Sequence, residues 1–420
     1  MYRIRPRFFV FSNIALGLLT LSLTGCGGSG DAGPSHPVAG GPGSVGAAST
    51  IVRPNVTVLP TNGSVTIAAQ DANSITLTGN VPAFKVGQVI VSGAGEGLLR
   101  KVVSASPAGS NATIQTQQAS LEDVFQEANI SFSKMLAPSD FSSMTPMIAG
   151  VHVAPATAGV TPHDIDYSKS LAVTFANAKF PQDNPIATLN GTGTITVGFD
   201  VKAAINYFHL QSASFTPYIT GALNIQLSST GSHDLPDVKA LLLHLQGDPI
   251  FTEIGGIPIV FTPDIDVYAT LGGNVKAGVT LSSDASVTVG EKVSYDQASG
   301  WQDVPQFDHN FNITPTLSAY ADASFDFTPL RPELHVTIDG IPGPYIAIDM
   351  PKLNAKLLAQ SSPPSVDVKV SGDFSGVAGF HAQIFHKDLD YQTPPLESSF
   401  DIYDKTFANP SDGTVTVGVN

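Results

Sequence analysis

The chain has 420 residues, 42% of them apolar and only 13% charged, with 35 acidic side chains against 20 basic ones and a net charge of −15. An acidic chain without a basic block repels the phosphates of nucleic acid and of anionic lipid, so neither is expected as a partner. Charged residues fall well below the roughly 25% of an average domain, and Gly, Pro, Ser, Thr and Asn take their place; with this apolar content the composition excludes disorder and suits short strands joined by many turns.

Arg3, Arg5 and Arg7 precede an almost wholly apolar run, Phe8 to Leu23. A basic start, a short apolar run and small residues after it are the parts of an export signal. The run is about sixteen residues, short of the roughly 20 needed to span a bilayer. It ends in Leu23-Thr24-Gly25-Cys26, which contains the only cysteine. This stretch resembles the lipobox of bacterial lipoproteins. The resemblance covers residues 1 to 26. It implies lipidation of the Cys26 thiol with a diacyl group, cleavage before Cys26 and acylation of the new amino terminus. Each buried methylene contributes ~0.8 kcal/mol, and two or more acyl chains hold where one does not. Lipoprotein sorting in two-membrane bacteria reads the residue after the cysteine. Gly27 in place of an aspartate therefore implies an outer-membrane protein, facing the periplasm or the cell surface. A lone cysteine cannot close an intramolecular disulfide, so stability must come from the core. Cleavage removes three basic residues and no acidic one, leaving 395 residues with a net charge of −18.

Residues 26–50 comprise the cysteine and a Gly/Ala/Ser/Pro linker without apolar period. As a flexible coil, its 24 residues after Cys26 reach about 27 Å.

Residues 51–135 are expected to form a small β module. Val56 and Val58, Val65 and Ile67, and Ile75 and Leu77 are short alternating pairs between turn residues. Phe84 to Ser92, Leu98 to Ser104 and Ala112 to Thr116 continue the pattern. Ser120-Leu121-Glu122-Asp123 has the form of a capping box and predicts a short helix over 121–127. Gly93-Ala94-Gly95-Glu96-Gly97 is expected to be a turn rather than a phosphate cradle, because neither a helix nor a Lys-Ser/Thr pair follows it. Within residues 71–131 the order GEGLLRKV then TQQASLEDVF is similar to an uncharacterised module of bacterial secreted proteins. That resemblance assigns no function.

A Pro/Ala/Ser/Thr-rich stretch places a domain boundary near Pro138 to Gly150, and residues 150–407 are expected to form a large antiparallel β domain. Ile195, Val197, Phe199, Val201, Ala203 and Ile205 share one face of a strand, with Thr196, Asp200, Lys202 and Asn206 opposite. Tyr218 to Leu227 is a second strand. Val238 to Gln246 fits helix and strand periods alike, and its neighbours favour strand. Ile265 to Leu271 and Val275 to Leu281 alternate strictly, and pairing their apolar faces predicts a hairpin with the three-residue loop Gly272-Gly273-Asn274. A further hairpin runs from Val287 to Tyr295 and turns through 296–300 into Trp301. Gly340 to Pro344 is expected to break the chain before a strand at 345–349. Residues 408–420 are a tail or late edge strand. The fold expected is all-β: a small N-terminal module and a larger antiparallel β-sandwich or flattened barrel.

Four groups could carry chemistry. His386, Asp388 and Asp390 would share one face of a strand, a mixed N/O set able to hold a divalent ion. Their alternative is an exposed polar face. Asp264 and Asp266 also share a face; they suit surface Ca²⁺ better than acid–base work, which needs a cleft and split pKa values. Tyr295, Trp301, Phe307, Phe311 and Tyr320 cluster around a hairpin tip, as ligand-binding aromatics for glycan, peptide or lipid or as core packing. A Ser/His/Asp triad lacks the Gly-x-Ser-x-Gly elbow, and the one cysteine is the anchor. No enzyme and no cofactor are expected. The function expected is a lipid-anchored envelope protein with a binding or structural role. The alternatives are a carrier of a hydrophobic ligand in a β-lined cavity, and a secreted hydrolase with an active site the sequence does not reveal.

Overall fold

The computed structural model describes residues 50–60, 63–156, 167–182, 185–229, 233–275, 279–310, 323–349, 352–361, 364–385, 390–393 and 396–408. Residues 1–49, 386–389 and 409–420 lie outside them.

Among the described residues the expected all-β architecture is observed, in three sheets. The small module is a six-stranded sheet ordered Val56–Val58, Val89–Ser92, Leu98–Val102, Gly109–Gln118, Ser74–Val81, Val65–Gln70. Its own core gathers Ile75, Leu77, Phe84, Ile90, Leu98 and Ile114, each at most 2% exposed. The other face, with Val89, Val91 and Leu99, joins the core of the larger domain. Alternation along these strands therefore buries both faces, and module and sandwich share apolar packing.

The residues GEGLLRKV and TQQASLEDVF form the polar hub of this module. Arg100 is 5% exposed. Its guanidinium donates to Thr116 Oγ1 at 3.1 Å, to Gln118 Oε1 at 3.4 Å and to the carbonyls of Asp71 and Ala72. Gln118 Nε2 in turn donates to the Leu99 carbonyl at 2.7 Å. A buried guanidinium is tolerable only when its donors are satisfied, and these partners meet that need. The capping box forms as expected, Ser120 and Asp123 exchanging side-chain-to-backbone hydrogen bonds. The helix, however, is one turn, Leu121–Val124. Phe125 leaves in extended conformation and starts the strand Phe125–Met135.

That strand corrects the expected boundary. It pairs with the Gly198 to Ile205 stretch of Ala187–Asn206, inside the large domain. The small sheet thus ends at Gln118, not near 135. Phe141–Pro146, within the stretch expected to hold the boundary, pairs with His233–Gly247. Glu122 marks the passage between the two parts: its buried carboxylate accepts from the Leu210 backbone N–H at 2.6 Å.

The large domain is two antiparallel sheets. One has eight strands along Ile51–Val52, Phe125–Met135, Ala187–Asn206, His209–Ser229, Val279–Asp296 and Gly300–Asn310, with Ser170–Phe180 and Val151–Pro155 branching from Ala187–Asn206. The other has ten, along Ile341–Ile348, Pro364–His381, Lys352–Ser361, Ala323–Ile338, Ile257–Val275, His233–Gly247 and Phe141–Pro146, with Ile250–Ile254 on Ile257–Val275 and Asp390–Gln392 and Leu396–Ala408 on Pro364–His381. Strands of 19 to 21 residues are long enough to take two partners end to end. Ala187–Asn206 pairs with Ser170–Phe180 over its first half and with Phe125–Met135 over its second. The inner faces meet in a sandwich. Phe132 of the first sheet stacks on Phe261 of the second with ring centroids 4.3 Å apart, and Phe199 lies 6.3 Å from Phe261. The alternation from Ile195 to Ile205 holds: all six apolar residues are at most 5% exposed.

The hairpin expected over 264–282 is not formed. Ile257–Val275 runs straight through Gly272 and Gly273, which pair with Asp326 and Phe325 of Ala323–Ile338. Val279–Asp296 belongs to the other sheet, against His209–Ser229. Both segments alternate, but alternation specifies a buried face and not a partner. The second expected hairpin is present, Tyr295 pairing with Trp301 and Asp296 with Gly300. The break expected at Gly340 to Pro344 is a tight turn instead: Asp339 and Gly340 have φ of 51° and 73°, and Ile341–Ile348 follows at once with both prolines inside it. Positive φ at both positions is the two-residue hairpin geometry that an Asp-Gly pair favours.

Candidate functional site

The outer face of the ten-stranded sheet carries a row of histidines, carboxylates and aromatics. Ile257–Val275 turns Ile265, Val267, Ala269 and Leu271 inward, each at most 2% exposed. The period of two then sets Asp264, Asp266 and Tyr268 outward. His244 comes from the neighbouring strand His233–Gly247. Here the register shifts: Leu241 faces Tyr268, Leu243 faces Val267, and Leu242 is the extra residue between them. Leu242 and Leu243 are both buried, at 1% and 0% exposed. The bulge reverses the alternation after Leu241, so His244 emerges outward, opposite Asp266. The same bulge explains why 238–246 mimics a helical period.

His244 Nδ1 lies 2.8 Å from Asp266 Oδ1 and 3.5 Å from Asp264 Oδ1. One ligand atom from each of the three residues falls within 4.8 Å of the other two. The side chains are partly open, at 37% exposure for His244, 49% for Asp264 and 30% for Asp266. The hydrogen bond to Asp266 holds the imidazole pKa above its ordinary value, aided by the Asp264 charge and opposed by burial. Burial pushes the Asp264 carboxyl up, and the Asp266 charge adds to this. Tyr268 Oη donates to Asp266 Oδ2 at 3.3 Å.

This group has a built surround. Lys239 Nζ sits 3.8 Å over the Tyr268 ring and 2.7 Å from Glu333. Arg331 bonds Glu333 at 2.9 Å and Asp349 at 2.7 Å. The nearby cations are thus committed to Glu333 and Asp349. In the other direction His335 pairs with Asp264 across the strands. Its ring stacks 5.9 Å from Tyr345, and Tyr345 stacks 5.4 Å from His381. Tyr345 lies over Gly379 of the facing strand, where a Cβ would come 2.3 Å from its ring. The glycine is what lets the tyrosine lie flat between the two histidines.

Of the residues singled out in the sequence, Asp264 and Asp266 stand together, and His244 is the partner sequence reasoning missed. Its signal was not local, for it lies 22 residues from Asp266 and faces it only through the bulged register. His386 and Asp388 lie outside the described residues; the backbone of Asp390 pairs with His381. Cys26 also lies outside them.

Tyr295 is 9% exposed and Trp301 partly buried. The two rings meet at 5.3 Å across the hairpin. Trp301 stacks on Tyr391 at 5.2 Å and an interplanar angle of 7°, and approaches Phe380 at 5.5 Å. Tyr391 Oη donates to Asp303 Oδ1 at 2.9 Å. These contacts tie an edge of the eight-stranded sheet to the ten-stranded one. Phe307 pairs with Val289, and Phe311 and Tyr320 lie outside the described residues.

Comparison with protein-family models, curated proteins and solved structures finds no match to this chain.

Proposed function

We propose that the chain is a lipid-anchored protein of the outer membrane with a non-catalytic binding or structural role in the cell envelope. The observation that carries this reading is Leu23-Thr24-Gly25-Cys26 at the end of the Phe8 to Leu23 run, behind three arginines. A leader of that form and a cysteine to acylate support a lipid-anchored protein, and the composition of the Gly/Ser/Pro stretch after Cys26 suits a flexible tether. Gly27 supports the outer membrane as the address. The body suits presentation. Its polar groups of interest lie on an open sheet face, and its inner faces are occupied by side chains such as Phe132, Phe199, Phe215 and Phe261. Replacing Cys26 with serine tests the anchor. Expressed in a two-membrane bacterium, the variant is expected in the soluble fraction while the parent pellets with outer membranes. Membrane retention of Cys26→Ser equal to that of the parent would sink the reading.

A further inference from the structure

We propose that His244, Asp264 and Asp266 form a binding site for one divalent first-row transition-metal ion, with Zn²⁺ the best match. Ligand atoms about 2.0–2.2 Å from a common ion stand roughly 3–4.5 Å from one another. Here His244 Nδ1 stands 2.8 and 3.5 Å from the two carboxylate oxygens, with every pair within 4.8 Å. Small side-chain rotations open the shortest gap to that range.

The donor set selects the metal. An imidazole nitrogen with two carboxylates is a poor cage for Ca²⁺ or Mg²⁺, which take oxygen ligands in larger number. It suits zinc, with three protein ligands and a fourth position left to water. The charge balance agrees. The two carboxylates have His244 within ligand distance and His335 across the strands from Asp264, and the neighbouring cations Lys239 and Arg331 are paired with Glu333 and Asp349. A divalent ion would neutralise the charge that Asp264 and Asp266 bring together. The surround also orients the ligands. Tyr268 Oη holds Asp266 Oδ2, leaving Oδ1 turned to His244, and Lys239 caps the Tyr268 ring. Such outer partners tune metal sites by about tenfold or more. Metal binding by these three residues does not depend on lipidation of Cys26.

The full mature protein, stripped of metal with chelator, should be titrated calorimetrically with ZnCl₂ and in parallel with CaCl₂. One equivalent of Zn²⁺ is expected, bound more tightly than Ca²⁺. His244→Asn and Asp264→Asn should weaken it more than roughly tenfold, and Tyr268→Phe, which keeps the capped ring, about tenfold. His386→Asn should leave it unchanged, separating this site from the group at 386–390. Far-UV circular dichroism checks that each variant folds. A second readout needs no variant: Co²⁺ in the parent protein should give visible d–d absorption of low-coordinate nitrogen/oxygen ligation. Absence of Zn²⁺ binding, tighter Ca²⁺ binding, equal Zn²⁺ affinity in folded His244→Asn, loss in His386→Asn instead, or a Co²⁺ spectrum like that of the aqueous ion would each overturn the proposal.

Discussion

Asp339 is 3% exposed, at the turn between Ala323–Ile338 and Ile341–Ile348. Its Oδ1 accepts from the Val260 N–H at 2.9 Å, and its Oδ2 is buried without a partner. The glycine loop at 93–97 closes over it: a Cβ on Gly97 would lie 2.7 Å from Asp339 Oδ1 and 3.0 Å from Val260 Cβ, so only glycine fits. The loop that could be mistaken for a phosphate cradle is thus a close-packed joint between module and sandwich. Burial pushes the Asp339 carboxyl up to about 7, with the Val260 hydrogen bond opposing. A folded-state pKa above the unfolded one favours the protonated form. Its contribution to stability is therefore complete below about pH 4, declines as pH climbs to about 7, and is constant above that. Asp339→Asn removes the buried charge and keeps both a side-chain oxygen to accept from the Val260 N–H and a residue type that tolerates positive φ. The variant should be more stable than the parent by about 2–4 kcal/mol at pH 8, with the gain much reduced at pH 4. Urea unfolding at the two pH values measures this; a parent more stable at pH 8 would contradict it.

At the scale of elements, the long strands are joined by turns that the sequence advertises unevenly. Asp296 binds back to the Ala298 N–H at 2.9 Å, and Gly300 takes a φ of 75°, so this hairpin carries visible turn residues. The hairpin between Ala187–Asn206 and His209–Ser229 does not. Its two central residues are Tyr207 and Phe208, with φ of 48° and 67°. Aromatic residues are poor occupants of that region, and nothing local predicts the turn. Packing decides it, through the 20-residue ladder on either side and the Arg53 guanidinium 4.3 Å over the Phe208 ring. Tyr207 is 69% exposed. Tyr207→Asn should therefore stabilise the protein by about 1 kcal/mol, since asparagine enters positive φ readily and little contact is lost. Thermal unfolding checks this; a lowered melting temperature would show that the tyrosine is packed more firmly than its exposure implies. The same limit governs the candidate site. The outward face of Asp264 and Asp266 is legible from a period of two. His244 is not, because its direction depends on one extra residue, Leu242, and its partner on a pairing chosen by the whole sheet. The Ile257–Val275 strand likewise alternates as expected but pairs where local sequence could not say.

At the scale of the molecule, composition made the all-β class legible and left the assembly open. Few charges, many turn residues and alternating apolar faces point to sheets. They do not say that Phe125–Met135 leaves the small module for the sandwich. That exchange follows from burying Phe125, Ala128 and Ile130 against the larger core, to which Val89, Val91 and Leu99 of the module also belong. One shared core gives the module a fixed stance on the sandwich. The proposed metal site lies on the outer face of the ten-stranded sheet, and the proposed function rests on lipid at Cys26. The most direct test of that central claim is the mass of the amino-terminal peptide of protein extracted from outer membranes. The account predicts a peptide beginning at Cys26 and carrying diacylglycerol on sulfur and a further acyl chain on the amino group. A peptide that retains residues before Cys26, or begins at Cys26 with a free thiol, would contradict it.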